Sequence, residues 1–256
     1  MAAKIILDAG HGGSNPGAVF EGRQEKDDVL RLALAVGEIL TQNGVEVEYT
    51  RTEDVTDTPF EKAQIANREG GDFLVSIHRN SSPEENQYSG VETLVYDKSG
   101  DKVKLAESIN EELENVGFRN LGVKERPGLV ILRRSQMPAV LVEAGFINTE
   151  ADNALFDEKF QEIAQAIANG ILQTLGMEQG GGDHDEKYYR VQTGAFRNKA
   201  YAEDQLYQLL SQNFPSYILR EDNYYKVQTG AFRQLDNAVR MEAALRRLGY
   251  PTFITT

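Results

Sequence analysis

Apolar residues recur along the first two thirds of the chain in two alternating rhythms. Ile5-Ile6-Leu7 is a short, wholly apolar run that reads as a buried strand, and a glycine-rich turn follows it. Val29, Leu32, Ala33, Val36, Ile39 and Leu40 then return at helical spacing, as far as the helix-ending pair Asn43-Gly44. The same reading gives a strand over 45–49, a helix over 59–68, and strands over 73–77 and 91–96. A helix over 102–116, strands over 129–132 and 139–143, and a helix over 157–174 complete the series. Such alternation predicts an α/β fold, a mostly parallel or mixed sheet with helices on both faces. Residues 1–175 are enough for a substantial core.

The last quarter repeats itself. The ten residues from Tyr188 to Arg197 return from Tyr224 to Arg233 with nine positions identical, at a spacing of 36. The offset holds further on, where Phe214-Pro215-Ser216-Tyr217-Ile218 matches Tyr250-Pro251-Thr252-Phe253-Ile254. An internal duplication follows. Each copy opens on alternating strand-like residues, passes through a helical stretch (202–210, 238–248) and ends in a second short strand. Two such units predict a small βαββαβ domain of the ferredoxin-like α+β type over 188–256. Between the two parts, residues 176–187 hold Gly180-Gly181-Gly182 with charged flanks and read as a flexible linker. His184 falls within it and is assigned to no site.

Charge sharpens this division. The whole chain carries a net charge of −13, which argues against a nucleic-acid binder. Residues 188–256, however, hold 9 Lys or Arg against 6 Asp or Glu, a net of +3, and 8 of the 11 tyrosines. The 0 cysteines exclude disulfides, thiolate metal sites and thiol nucleophiles. No apolar run approaches the roughly 20 residues of a membrane span, so no membrane partner is expected. The opening Met-Ala-Ala-Lys-Ile-Ile-Leu-Asp turns polar too soon for a signal peptide, and synthesis in the cytoplasm without a leader is expected.

Chemistry concentrates at strand ends. His11 follows the first strand in Asp8-Ala9-Gly10-His11-Gly12-Gly13, and His78 follows the strand over 73–77. In α/β sheets, ligands collect at the carboxyl ends of strands, so both imidazoles are expected at one crevice. Glu143 closes a third strand there, and Glu25 lies just before the first long helix. One strand-end histidine is more often structural, and an acidic helix start is ordinary. Two histidines with a carboxylate instead suit Zn²⁺, with the fourth position left to water. The glycines at 10–13 lack the Lys-Ser/Thr of a phosphate-binding loop. Arg51 and Arg68 are expected to pair with carboxylates within the fold.

Across residues 4–175 the chain resembles the zinc-dependent N-acetylmuramoyl-L-alanine amidases of the amidase-3 type. The resemblance runs through 8–13, Pro16-Gly17-Ala18, Glu25-Lys26-Asp27, Thr50-Arg51, Ala66-Asn67-Arg68, 76–80, Gly90-Val91-Glu92-Thr93 and 142–147. It implies His11, Glu25 and His78 as zinc ligands and Glu143 as the catalytic carboxylate. It also implies hydrolysis of the amide between N-acetylmuramic acid and the L-alanine of the stem peptide. Asn80 and the amides of loop 10–13 are candidate donors to the developing oxyanion. Arg79 departs from the family, which usually has a small residue there, and this bears on substrate contacts near the metal.

The duplicated segment resembles a sporulation-related repeat (SPOR) domain, through 191–196 and its copy, which implies binding to the glycan strands of peptidoglycan. Tyrosine rings suit sugars, though each also suits a small core. Competing readings are a zinc peptidase or deacetylase on another wall amide, an inactive wall-binding protein, and an RNA binder built on the second domain. The last lacks the aromatic-glycine signature of such modules. A leaderless wall hydrolase reaches the wall by lysis, which fits lysis of the sporulating mother cell or a phage endolysin.

Overall fold

The computed structural model describes residues 3–177 and 189–255, apart from 213, 215, 222, 233 and 234. The chain divides into two compact units, Met1–Gln179 and Gly180–Thr256. Residues 178–187 of the expected linker, with His184, lie outside the described residues.

In chain order the first unit runs β1 (Lys4–Ala9), β2 (Val19–Phe20), β3 (Arg23–Gln24), α1 (Glu25–Gln42), β4 (Glu46–Tyr49), α2 (Pro59–Glu69), β5 (Phe73–Asn80) and β6 (Val91–Val95). It continues with α3 (Asp101–Val116), β7 (Asn120–Glu125), α4 (Val130–Arg134), β8 (Ala139–Phe146), α5 (Glu150–Glu158) and α6 (Phe160–Thr174). Six strands form one sheet in the order β4-β1-β5-β8-β6-β7. All neighbours are parallel except β6 against β8, so the sheet is mixed. Ile6, Leu74, Leu94 and Leu141 on one sheet face join Ala63 and Ala66 of α2 and Ile131 and Leu132 of α4 in a shared core. The opposite face packs against α1 and α3, with α6 packed on both helices, and their apolar sides, among them Val29, Leu32, Leu105, Ile109, Ile163 and Ile167, are wholly buried.

Local chemistry sets the helix ends. Acids at Glu25, Asp27 and Asp28 fill the first turn of α1, where the helix dipole favours them. Thr58 and Glu61 close a reciprocal capping box at α2, with Pro59 in the first turn.

Three expectations require correction. The strand over 129–132 is instead the short helix α4, preceded by Pro127-Gly128; a four-residue apolar run fits either form by period alone. The edge strand is β7, whose side chains are half-buried and whose alternation is therefore weak. The helix over 157–174 breaks at Lys159 into α5 and α6. The hairpin β2–β3 was not expected either. It turns on Glu21 and Gly22, both at positive φ, and leads directly into Glu25.

The second unit runs β9 (Tyr189–Phe196), α7 (Lys199–Ser211), β10 (Tyr217–Glu221), β11 (Tyr224–Phe232), α8 (Leu235–Arg247) and β12 (Phe253–Thr255). Its sheet has the order β10-β11-β9-β12 with all neighbours antiparallel, the expected split βαββαβ arrangement. The two copies of the repeated motif, β9 and β11, lie side by side, with Tyr225 opposite Phe196 and Phe232 opposite Tyr189. Val191, Ala202 and Leu209 of one copy meet Val227, Ala238 and Leu245 of the other in one core. Neither copy closes a core without its partner.

Candidate functional site

Strand register builds the site. β5 continues to Asn80 and β8 to Phe146, so His78 and Glu143 lie within strands rather than after them. His78 is paired with Glu143 across β5 and β8, and Glu143 with Glu92 across β8 and β6. Residues directly opposite in a sheet point to the same face, which aligns these three side chains in one row.

His11 and Glu25 approach this row from loops and a helix end. His11 sits at φ 56, a left-handed conformation rare for a side-chain-bearing residue. Cations hold that loop in place. Arg51 donates to the carbonyls of Ala9, Gly10, Lys26 and Glu53. Lys62 donates to the carbonyls of Ala9 and His11 while lying 3.3 Å from buried Asp8. Arg51 thus serves backbone carbonyls and not the carboxylates expected of it, whereas exposed Arg68 does pair with Glu69. Gly10 is required by close approach: a Cβ there would lie 2.3 Å from the His78 ring.

Glu25 joins the two histidines. Its Oε1 lies 2.9 Å from His78 Nδ1 and its Oε2 lies 3.0 Å from His11 Nε2. The carboxylate also accepts from Ala18 N at 2.9 Å and Arg79 N at 3.0 Å. Burial pushes its pKa up, but the hydrogen bonds from His11 and His78 prevail and hold it well below the usual carboxylate range. The ligand atoms of His11, Glu25 and His78 lie within 4.8 Å of one another. Two imidazole nitrogens converging on one buried carboxylate form a donor set suited to a divalent cation. Side-chain exposures of 24% at His11 and 18% at His78 leave the group open on one side.

Asn15, which the sequence reading passed over, fixes the orientation of His11. Asn15 Oδ1 accepts from Gly17 N at 3.1 Å and lies 3.1 Å from His11 Nδ1. An oxygen in that role accepts from Nδ1, so that with a cation bound Nε2 would offer it the lone pair. Asn15→Leu is expected to weaken metal affinity about 10–100-fold, whereas Asn15→Asp, which keeps the acceptor, retains it. Chelator competition checks both.

Glu143 behaves differently from Glu25. It is half-buried, yet its Oε2 is closed off from solvent and has no hydrogen-bond partner. Burial, aided by the charges of Glu25 and Glu92 and opposed by His78, pushes its pKa up to about 7. A carboxyl group so placed takes up and releases a proton near neutrality. Neighbouring Glu92 pairs with Lys124 and accepts from Asn80 Nδ2 at 3.1 Å.

Two expectations about substrate contacts change. In loop 10–13, the amides of Gly10, Gly12 and Gly13 donate to Ile77 O, Asn15 O and Asp54 Oδ1, so they are not available to an oxyanion. Arg79 points into the protein, with 0% of its side chain exposed. It donates to Asp28 Oδ2 and Asn153 Oδ1, both at 2.7 Å, and stacks 4.1 Å above the Phe156 ring. Burial draws its pKa down to about 10, so it stays charged at neutral pH. It braces the start of α1, hence Glu25, from within the protein.

Comparison with known proteins agrees with this geometry. Residues 5–173 match the Amidase_3 family model, N-acetylmuramoyl-L-alanine amidase, and residues 185–256 match the SPOR domain model. The chain is 37% identical over 225 residues to the sporulation-specific N-acetylmuramoyl-L-alanine amidase of Bacillus subtilis (strain 168), covering 86% of this chain and 85% of that protein. It is 34% identical to the endolysin of Bacillus phage SPP1, over 76% and 74% of the two. The crystal structure of an N-acetylmuramoyl-L-alanine amidase from Clostridium difficile 630 aligns at a TM-score of 0.64 and 32% identity, over 70% of this chain and 99% of that one.

Proposed function

Because the chain belongs to the Amidase_3 family of N-acetylmuramoyl-L-alanine amidases, it hydrolyses the amide joining N-acetylmuramic acid to the peptide of peptidoglycan, and we propose that it does so with Zn²⁺ held by His11, Glu25 and His78. The observation that carries this is the convergence of His11 Nε2 and His78 Nδ1 on the two oxygens of one buried carboxylate. When bound there, zinc supplies Lewis acidity, which polarises the scissile carbonyl and lowers the pKa of water.

The other tasks fall to the protein. Glu143, with a pKa near 7 and an unpaired buried oxygen, takes a proton from the attacking water. It then delivers that proton to the departing amine of L-alanine, which cannot leave as an anion. Asn80, with one amide hydrogen committed to Glu92, turns its second to the carbonyl oxygen as charge develops there. His11 and His78 orient the reacting group, and Asn15, Lys62 and Arg79 keep them and Glu25 in position.

Peptidoglycan is both substrate and binding target for this pair of domains. The amidase reading predicts that digestion of purified walls releases stem peptides with new alanine amino termini, in step with loss of turbidity and without new reducing sugar ends. Reducing ends, or amino termini other than alanine, would instead favour a different wall hydrolase.

Within biology we favour lysis of the mother cell in a spore former. Two observations support this over a phage endolysin: the second unit is a SPOR domain, and the similarity to a sporulation-specific amidase extends over more of the chain than that to the phage protein. Deleting the gene in its host and following spore release tests it; normal release would contradict it.

A further inference from the structure

We propose that Lys124 forms a subsite for the free carboxylate of the stem-peptide residue that follows L-alanine, so that the enzyme favours acidic over amidated stem peptides. This rests on the amidase reaction and adds which stem peptide it takes.

The row of side chains at the site extends further than the reaction uses it. The sheet order β8-β6-β7 sets Glu92 one strand beyond Glu143 and Lys124 on the strand after that. Leu94 lies opposite Lys124 across β6 and β7. Glu92 and Leu94, two residues apart, share a face, so Lys124 stands on the face that carries Glu143. Its side chain reaches back to Glu92, and the pair closes the row.

Lys124 differs from the other cations described around the site. Arg51, Lys62 and Arg79 are buried, and each is spent on several acceptors of the protein itself. Lys26 gives its ammonium to Gly13 O and Asp54. Lys124 has one partner among the described residues, Glu92, although an ammonium donates three hydrogen bonds. Two donors are left for a ligand. The pair is neutral as a whole but not symmetrical. Glu92 is 8% exposed and Lys124 40%, so the negative end lies within and the positive end faces solvent. Glu92 also accepts from Asn80, which holds the ammonium's anchor in place.

Substrate chemistry says which group meets it. On the sugar side of the scissile amide there is no charge, because the lactyl carboxyl is consumed in the amide. On the peptide side, the residue after alanine bears a carboxylate in some walls and a carboxamide in others. That group lies two residues, roughly 7 Å, from the reacting carbon. Strand spacings put the Glu92–Lys124 pair about 5–10 Å from Glu143 across the sheet. A carboxylate at that distance meets two N–H donors and an outward positive charge. A carboxamide offers its oxygen without the charge.

Two soluble muramyl tripeptides test this, both amidated at the peptide's end. They differ only in whether the residue after alanine carries a carboxylate or a carboxamide. The full chain is expected to cut the acid with a kcat/KM about fivefold higher, mostly through KM, the size of a half-exposed ion pair. Lys124→Met should bring the ratio to about one, and Lys124→Arg should keep it. The ratio is the readout because a disturbance of Glu92, Glu143 or the fold slows both substrates alike. Lys124→Met combined with Glu92→Gln leaves no unpaired charge, keeps the acceptor for Asn80, and should give the same ratio of about one. Equal cutting of both substrates by the parent, or a preference that survives the loss of Lys124, overturns the subsite and leaves the amidase reading standing. If the parent frees no alanine amino terminus from either substrate, the amidase reading fails and the subsite with it.

Discussion

Glu143→Gln is expected to slow wall hydrolysis about 10²–10⁴-fold while leaving metal content and folding unchanged. Glutamine keeps the volume and the hydrogen-bonding outline of the side chain but cannot take up a proton at neutral pH. The substitution also removes a charge that the site holds at a cost, since Oε2 is buried without a partner and Glu25 and Glu92 lie nearby. Stability should therefore be equal or greater, and the loss should fall on turnover alone. The pH profile gives a second readout. A base works in its deprotonated form, so the rate should rise with pH as Glu143 loses its proton. That limb lies at or below about 7, because a bound cation lowers a neighbouring carboxylate's pKa. It should be absent from the residual activity of Glu143→Gln. Single-turnover rates on purified walls between pH 5 and 8 check both points.

His78→Ala, and equally His11→Ala, is expected to reduce activity to the level of chelator-treated protein. Each removes one of three protein ligands, and metal affinity depends on all three together. The consequences extend to Glu25. Without one of its two imidazoles, the carboxylate loses one of the contacts that offset its burial, and the group becomes a liability at the start of α1. Added zinc should not restore either variant at concentrations that restore the chelated parent. Stoichiometric, tightly held zinc in either variant would remove that histidine from the ligand set.

Most of this site was legible because His11 follows β1, His78 and Glu143 lie in the C-terminal halves of β5 and β8, and Glu25 starts α1. Strand–turn–histidine and strand–carboxylate patterns mark crevice positions in an α/β sheet, and Glu25 stands at a helix start. What stayed hidden depends on register and on long-range partners. Nothing in Gly90-Val91-Glu92-Thr93 reveals that Glu92 lies opposite Glu143, because an antiparallel pairing far apart in sequence decides it. Asn15 was passed over because its contact with His11 follows from the doubled-back loop at Gly12. Arg79, as a departure from the family's usual small residue, bore on substrate contacts near the metal. Strand alternation sends it to the opposite face from His78, into Asp28 and Phe156. The exchange of the strand over 129–132 for β7 has a similar cause. An apolar segment can be buried as a helix beneath α2, while an edge strand needs no continuous apolar face.

The assignment of three residues to the metal and one to the proton is tested most directly by metal content. Purified parent, His78→Ala and Glu143→Gln proteins, loaded with zinc and freed of excess, should contain one, none and one zinc per chain. Zinc retained in full by His78→Ala, or lost from Glu143→Gln, would contradict the account.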